Sequence, residues 1–274
     1  MKIAAVIEYC GNRYSGWQYQ HHATSIQQHV ESALSRVADH AVRVHCAGRT
    51  DAGVHALNQV IHFETDSVRP VRAWVAGSNT HLAADITLLW AQPVADDFHA
   101  RYSALRRSYR YIILNRPVRP GLNRDRVAWE HWPLDVNLMR RAASDLIGEH
   151  DFTSFRAAGC QARVPIREVQ ILEVFRSGEY VVIDITANAF LQHMVRNIAG
   201  VLITIGSGKQ AIDWARQILE VRDRTRGGIT APASGLYLTR VEYPVIYGIP
   251  KPAPGSWPLL LYDESKIVTC NMPG

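Results

Sequence analysis

The 274-residue chain has few cysteines and no long apolar segment. Because it contains no run of about 18 uncharged apolar residues, the sequence predicts no transmembrane helix and no membrane partner. The four cysteines, Cys10, Cys46, Cys160 and Cys270, form no CxxC pair and have no histidine at zinc-finger spacing. We therefore expect reduced thiols, no metal site and a cytoplasmic protein.

Three common catalytic motifs are also absent. The sequence has no GxxxxGK(S/T) loop, no GxGxxG after a predicted strand and no GxSxG turn. These absences exclude the usual sites for nucleotide phosphates, dinucleotides and acyl transfer, so we expect no small-molecule cofactor. With 47% hydrophobic and 20% charged residues, the composition is that of a folded globular protein.

The hydrophobic pattern of the first hundred residues alternates between strand and helix periodicity. Apolar runs typical of strands occur at residues 2–9, 42–46, 56–65 and 86–94. Helical spacing occurs at residues 25–39 and 71–82. The resulting order, β-α-β-β-α-β, is typical of a ferredoxin-like domain with an antiparallel sheet.

The same order recurs further along the chain. Predicted strands lie at residues 108–114, 168–175, 180–187 and 235–243, and predicted helices at 136–148, 189–206 and 211–222. We therefore predict an α+β protein with two ferredoxin-like domains, whose antiparallel sheets join around a central cleft. The predicted domains are residues 1–104 and 105–250, followed by an extended proline-rich tail, 251–274.

Positive charge is concentrated in one segment, residues 101–126, which we call the arginine belt. Only four of the 30 basic residues of the chain are lysine, and the belt holds eight arginines with one acid, Asp125. Tyr102, Tyr109 and Tyr111 are interleaved with these arginines. Guanidinium groups beside aromatic rings suit phosphate contact and base stacking in RNA. A solvated face with scattered ion pairs is the alternative interpretation.

The string AGRTDAGVHA, residues 47–56, links two predicted strands. Gly48 and Gly53 permit backbone conformations closed to other residues, so the chain can turn tightly and project Asp51. Arg49 stands two residues before that carboxylate, and a neighbouring cation suits a nucleophile or a fixed anion. A structural turn with an Arg–Asp ion pair would use the same letters.

Three further polar residues have competing interpretations. His55 and His62 flank the start of a predicted strand, and without a nearby acidic or cysteine cluster we favour structural hydrogen bonding over metal ligation. In the predicted helix from residue 189, Arg196 points almost opposite the apolar face, which favours exposure to solvent. Arg196 could instead project into a cleft between the two domains and meet Asp51.

Taken together, the AGRTDAGVHA loop, the strand SYRYIIL, the helix FLQHMVRNIAG and the late GLYL strand resemble the TruA family of tRNA pseudouridine synthases. The segments DDFHARYSA, HDFTSFRA and CQARVPIREV follow in the family's order, so the resemblance extends over nearly the whole chain. It implies isomerisation of uridine to pseudouridine in tRNA, at nucleotides 38, 39 and 40 of the anticodon stem-loop. It also implies a homodimer that uses neither a metal nor a cofactor.

The resemblance implies specific roles for five residues. Asp51 matches the catalytic aspartate, Tyr109 the active-site tyrosine, and Arg196 the arginine that pairs with the aspartate. Leu236 matches the apolar residue under the target base. Arg49 matches the arginine that helps to flip the base and hold its phosphate.

From the belt we add Arg106, Arg107 and Arg110 as predicted RNA contacts. Two other classes of function remain open from the residues alone. One is a catalytically silent module that binds or folds tRNA, which the arginine belt would serve without Asp51. The other is a carboxylate-dependent glycosidase or lyase that acts on small molecules.

Overall fold

A computed structural model describes residues 1–252 of the chain. The predicted tail, 251–274, therefore lies outside the described residues except for its first two positions. Within the described part, no helix is long and apolar enough to cross a membrane.

The described residues form ten strands and five α-helices. The strands are β1 (Lys2–Tyr9), β2 (His45–Cys46), β3 (His55–Glu64), β4 (Ile86–Pro93), β5 (Arg106–Asn115), β6 (Ala128–Glu130), β7 (Gly148–Asp151), β8 (Ile166–Ser177), β9 (Tyr180–Ala187) and β10 (Leu236–Glu242). The helices are α1 (Ile26–Ala38), α2 (Val71–Asn79), α3 (Val136–Ser144), α4 (Met194–Gly206) and α5 (Trp214–Val221). This mixture confirms the predicted α+β class.

All ten strands belong to one sheet. Its main path runs in the order β4-β1-β3-β10-β5-β9-β8-β7, while β2 pairs with β3 and β6 pairs with β5. The last strand in sequence, β10, therefore lies between the two halves of the chain. It pairs parallel to β3 and antiparallel to β5.

The junction between the halves departs from the predicted antiparallel arrangement. Tyr237 and Leu238 of β10 face His55 and Ala56 of β3 in a short parallel pair. A second parallel pair joins β6 to β5. The first six elements follow the predicted order, β1-α1-β2-β3-α2-β4. The division into two ferredoxin-like domains stays a prediction, and one hydrophobic core cluster contains residues from both halves.

Several element boundaries also differ from the prediction. Strand β2 has only two residues, and the short strands β6 and β7 carry no strand periodicity that would reveal them in advance. The largest difference is at α4, which begins at Met194 rather than at residue 189. His193, just before it, has left-handed backbone angles, φ 63° and ψ 0°, which no α-helix continues through.

Local capping explains where two helices begin. At α1 the Ser25 side chain accepts a hydrogen bond from the Gln28 backbone N–H. At α3 the Asp135 carboxylate accepts from the N–H groups of Asn137 and Leu138, at 2.8 and 3.1 Å. These side chains satisfy N–H groups that have no partner within the helix.

Candidate active site

Asp51 lies in the loop between β2 and β3. Gly53 has a φ of 80°, and the Val54 backbone N–H returns to the Asp51 carbonyl at 3.1 Å, so the chain makes the predicted tight turn. Gly48, by contrast, is not one of the described glycines with a positive φ. A Cβ at Gly48 would lie 3.6 Å from the Tyr109 hydroxyl, an ordinary van der Waals distance, so neither the backbone conformation nor a close contact requires glycine at this position.

The segment between β1 and α1 supports this turn from the other side. The Trp17 N–H donates to the Thr50 carbonyl at 3.0 Å, and the Tyr9 and Thr50 hydroxyls are 2.8 Å apart. A Cβ on Gly16 would lie 2.7 Å from the Thr50 carbonyl oxygen, so only glycine permits so close an approach. Trp17 is fully buried and therefore packs in the core.

Two side chains from the α4 region approach the Asp51 carboxylate. Arg196 Nη1 is 3.5 Å and His193 Nε2 is 3.4 Å from the same atom, Asp51 Oδ2. Arg196 also donates its Nε–H to the Ala231 carbonyl at 2.8 Å, which holds the guanidinium in place. Its side chain is only 16% exposed, so the structure decides against the exposed position that helical spacing favours.

Arg49 does not take part in this ion pair. It is exposed at the cleft and makes no hydrogen bond or salt bridge within the described part of the chain. The Arg49–Asp51 ion pair of the alternative, structural interpretation of this loop is therefore not present. A residue two positions away in a turn points elsewhere, whereas α4 brings Arg196 to the carboxylate across 145 positions of sequence.

Tyr109 and Leu236 line the same cleft as Asp51. Tyr109 is 8% exposed, and the ring of Phe190 packs edge-on against it with centroids 5.0 Å apart. Burial raises the pKa of the Tyr109 phenol, and the nearby Asp51 charge raises it further, against the opposing effect of Arg107. The hydroxyl therefore stays protonated and has no hydrogen-bond partner among residues 1–252.

The cleft has a volume of about 1350 Å³ and is open to large ligands. Its border includes the exposed side chains of Arg49, Arg101 and Tyr102. Tyr102 is 75% exposed and packs against His99, with ring centroids 4.4 Å apart and ring planes inclined by 37°. The guanidinium of Arg101 lies 5.6 Å from the Tyr102 ring centroid. Basic groups beside an open aromatic face suit a nucleic-acid backbone and bases.

Arg107 lines the cleft and holds several segments of its wall together. It lies on the Tyr109 face of β5 because side chains alternate along a strand. Its guanidinium donates to four backbone carbonyls, those of Ala47, Arg101, Ala104 and Asn188, at 2.6 to 3.2 Å. Arg107 therefore ties β5 to the start of the Asp51 loop and to the 101–104 turn.

The arginine belt does not form one continuous surface. Arg106 and Arg110 fall on the face of β5 opposite Tyr109, and neither lines the cleft. Arg106 pairs with Glu242 at 2.7 Å, and Arg110 makes a two-pronged ion pair with Asp184 at 2.6 Å. The contacts of these two residues therefore agree with the alternative interpretation, scattered ion pairs, better than with one RNA-binding surface formed by the whole belt.

The histidines and the cleft cysteine have structural environments. His55 Nδ1 accepts the Gly11 N–H and His62 Nδ1 accepts the Ala100 N–H, both at 3.1 Å, as predicted. Burial lowers the pKa of His55 to about 4 and that of His62 to about 3. Burial raises the pKa of the Cys46 thiol to about 12. Across residues 1–252, no group of three or more His, Cys, Asp or Glu side chains could hold a metal ion.

Sequence reasoning missed His193. The prediction included it in a helix starting at residue 189, where its direction could not be distinguished from that of a surface residue. The left-handed turn at His193 redirects the side chain into the cleft. The only available indication was the short string QHM between two apolar stretches, which alone does not identify a contact with Asp51.

Fold and site together define an α+β enzyme with an ion-paired carboxylate and a shielded phenol in one large polar cleft. The sequence model of a family described as tRNA pseudouridine synthase matches residues 5–103 and 142–244. Tyr109 lies between the two matched ranges. These ranges include most of the chain, and with them Asp51, Arg196 and Leu236.

Several relatives extend the similarity over nearly the full length. The tRNA pseudouridine synthase A of Legionella pneumophila (strain Corby) is 52% identical over 264 residues, covering 96% of this chain and 100% of the relative. Those of Hydrogenovibrio crunogenus and Coxiella burnetii (strain Dugway 5J108-111) are 52% and 53% identical. Each covers 91% of this chain, and the alignments include 95% and 96% of the respective relatives. The chain belongs to the tRNA pseudouridine synthase family.

Proposed function

We propose that this protein isomerises uridine to pseudouridine at nucleotides 38, 39 and 40 of the tRNA anticodon stem-loop, with Asp51 as catalytic carboxylate. The observation that carries the proposal is the Asp51 carboxylate, ion-paired to Arg196 and open to the cleft that Tyr109 and Leu236 also line. The names of the relatives support tRNA as the substrate. The stem-loop positions come from the resemblance of the motifs.

The reaction balances without any co-reactant. The bond between N1 of uracil and C1′ of the ribose breaks, and a bond from C5 to C1′ forms after the base has turned. C5 loses its proton and N1 gains one. Asp51 acts either by attack on the substrate or by stabilising or deprotonating the sugar, and both routes need a fixed carboxylate in a site with little water.

A uridine within a stem must leave the base stack before Asp51 can reach it. Flipping a base costs a few kcal/mol, which contacts to the phosphates offset. Arg49 and Arg101 are exposed at the cleft border, where they suit such contacts. Leu236, 5% exposed, provides an apolar floor that keeps water from the broken glycosidic bond.

Tyr109 combines two functions in this scheme. Its ring gives the flipped uracil an aromatic surface. Because burial raises the pKa of the phenol, the hydroxyl remains a proton donor throughout the physiological range. Such a group assists the proton transfer that follows formation of the C5–C1′ bond by giving its proton to N1 and taking the proton that C5 releases, so that the phenol ends in the form in which it began.

We also propose a cytoplasmic homodimer, which the resemblance implies. Light scattering on the purified protein measures the mass in solution. A homodimer has twice the 30.8 kDa of the single chain. A monomer at micromolar concentration would contradict this part of the proposal.

Tritium release tests the catalytic proposal directly. We expect wild-type protein to release tritium from tRNA labelled at C5 of uracil, and Asp51→Ala and Asp51→Asn to stop that release. Arg216→Ala is the matched control, since Arg216 lies on α5, is exposed and does not line the cleft. No release from any tRNA would refute the proposal, and turnover of free nucleosides would favour a small-molecule glycosidase.

The same variants separate catalysis from simple binding. A silent tRNA-binding module predicts that Asp51→Asn preserves every cellular effect of the protein. The isomerase predicts that this variant leaves nucleotides 38, 39 and 40 unmodified. Mapping pseudouridine in tRNA from a strain without the protein, complemented with each variant, distinguishes the two.

A further inference from the structure

We infer that His193 is a positioning residue for Asp51, and this inference rests on the proposed function. Its imidazole Nε2 lies 3.4 Å from Asp51 Oδ2, the oxygen that also faces Arg196, and we assign it the role of a hydrogen-bond donor to that oxygen when substrate occupies the cleft. The two donors hold the carboxylate in one orientation and leave Oδ1 for the substrate.

The first observation is that both contacts converge on one oxygen atom. Nε2 of His193 lies 3.4 Å and Nη1 of Arg196 lies 3.5 Å from Oδ2. Asp51 Oδ1 has no hydrogen-bond partner among residues 1–252. A carboxylate held at one oxygen by two donors has its other oxygen free to act on a ligand in the cleft.

The second observation is the position of the three side chains relative to the cleft. Asp51 and His193 both line it, whereas Arg196 does not and reaches Oδ2 from α4. The His193 side chain is 30% exposed. His193 therefore lies on the cleft side of the carboxylate, where substrate binding would exclude water and strengthen the interaction between the imidazole N–H and the carboxylate.

The third observation is the backbone at His193. Its φ of 63° is one of only three positive values at non-glycine residues within the described range. Left-handed backbone is disfavoured for residues with a Cβ and often occurs where a functional side chain must be aimed. The His193 carbonyl then accepts the Asn197 N–H at 2.9 Å, so this turn leads directly into α4.

The sequence position explains why the two donors act together. His193 immediately precedes α4 and Arg196 lies in its first turn, so the left-handed backbone at His193 and the start of the helix together bring both side chains to Asp51 Oδ2. Among residues 1–252, the Asp51 carboxylate is the polar partner that the His193 imidazole approaches, at 3.4 Å, and the imidazole makes no hydrogen bond to any other group. An imidazole that served only as packing would have no reason to face the carboxylate.

Two variants with equal backbone strain separate the hydrogen bond from the shape of the ring. Gln supplies an N–H near the position of Nε2, whereas Phe retains the ring without a donor, and both have a Cβ at the left-handed position. We expect H193Q to retain kcat within about threefold, and H193F to lose kcat roughly 10- to 100-fold with little change in KM for tRNA. His193→Ala should behave like H193F.

Three outcomes would overturn the inference. The first is H193F with wild-type kcat, and the second is H193Q as impaired in kcat as H193F. The third is an H193F variant whose entire defect lies in KM, since that would assign His193 to RNA binding alone. Thermal melting of each variant shows whether it is folded, and H193A provides a second donor-free variant if H193F is not.

Nitrogen-15 NMR of histidine-labelled protein tests the hydrogen bond without any turnover. We expect the His193 signal, assigned by its loss in H193Q, to show hydrogen on Nε2 in wild type and to shift in D51A. A His193 signal unchanged by D51A would overturn the inference. If the NMR result is as expected but wild-type protein releases no tritium, the proposed function fails while the hydrogen bond stands.

Discussion

At the scale of single residues, the site pairs a carboxylate that is accessible to ligand with groups that are shielded from water. Asp51 is 23% exposed in its side chain, whereas Tyr109 beside it is almost completely buried. The low polarity around Tyr109 strengthens electrostatic contacts made by a bound substrate. Burial also raises the pKa of the Tyr109 phenol, so the hydroxyl stays protonated.

Tyr109→Phe removes only the hydroxyl. We expect tRNA binding to remain within about twofold, because the ring and its edge-on contact with Phe190 are retained. Loss of the proton-transferring group should lower kcat about 100-fold or more. Single-turnover tritium release measures the chemical step.

Tyr180→Phe is the control for this prediction. Tyr180 also carries a phenol, and its hydroxyl accepts a hydrogen bond from Asn123 outside the cleft. The Tyr180→Phe substitution should change the free energy of unfolding slightly and leave kcat unchanged. Equal effects of the two substitutions would show that the Tyr109 hydroxyl has no special part in the reaction.

At the scale of elements, α4 is positioned by a close approach of the 229–231 segment. A Cβ at Gly200 would lie 1.8 Å from the Ile229 carbonyl oxygen, so glycine is required inside this helix. The Ala231 N–H donates to the Arg196 carbonyl at 3.1 Å, and its carbonyl accepts the Arg196 Nε–H. The segment therefore determines where the Arg196 guanidinium lies.

Gly200→Ala should displace the 229–231 segment and release Arg196 from Ala231. We expect overpacking to lower the free energy of unfolding by about 1 to 3 kcal/mol, despite the better helix propensity of alanine. Loss of the Arg196 orientation should also lower kcat for tritium release. Urea unfolding and steady-state kinetics measure the two effects.

Gly121→Ala is the matched substitution, since a Cβ at Gly121 meets nothing within 4 Å. It should leave both stability and kcat near their wild-type values. If Gly200→Ala behaved in the same way, the close approach of Ile229 would not constrain α4.

The junction of β3 and β10 contains a buried titratable group. His55 stacks on Tyr237 with centroids 4.6 Å apart, and burial lowers its pKa from 6.5 to about 4. As pH falls from 6.5 to 4, the unfolded chain gains a proton at this site that the folded chain does not. The free energy of unfolding should therefore fall over this window, by up to about 1.4 kcal/mol per pH unit from His55.

His55→Gln tests this contribution, because the Gln amide oxygen can still accept the Gly11 N–H but does not titrate. We expect its free energy of unfolding to fall less steeply than that of wild type between pH 6.5 and 4. Urea unfolding at several pH values gives the slope of the free energy of unfolding against pH. This slope, rather than the absolute stability, is compared between the two proteins. Parallel slopes in the two proteins would contradict the prediction.

At the scale of the whole molecule, the continuous sheet brings one surface of each half to the same cleft. The chain has a net charge of +5, and the arginines at the cleft border are better placed for RNA than those elsewhere. Each phosphate contact releases a counterion, so the salt dependence of binding counts such contacts.

Arg49→Ala and Arg216→Ala change the net charge equally. We expect Arg49→Ala to reduce the slope of log K against log salt for tRNA binding by about one, because Arg49 faces the cleft. Arg216→Ala should leave the slope unchanged. Binding titrations at several salt concentrations measure both, and equal slopes for the two variants would show that net charge alone governs binding.

The features of the fold and site that could be predicted are those that depend on hydrophobic periodicity or on turn residues within a short segment. Periodicity identified all five helices and eight of the ten strands in the described residues, because each of these elements has apolar residues that recur at a regular spacing along one face. It did not identify β6 or β7, which are too short to have a period. The tight turn around Asp51 could be predicted because backbone torsion angles depend on the residues of the turn itself. The sequence did not show that strand alternation places Arg106 and Arg110 on the face of β5 opposite Tyr109, where they pair with Glu242 and Asp184, and their contact with RNA stays a prediction.

The amino-acid order alone determined the α+β class, the Asp51 turn and, through motifs in a family's order, the expected identities of Tyr109, Arg196 and Leu236. Only the tertiary structure decided that Arg196 and His193 meet one oxygen of Asp51, that Arg49 does not, and that Arg107 supports the cleft wall. The reason is physical: periodicity reports which side of its own element a residue occupies. Which residues that side then contacts depends on how β3, β5, β10 and α4 pack together, and these elements are separated by up to more than a hundred residues in sequence.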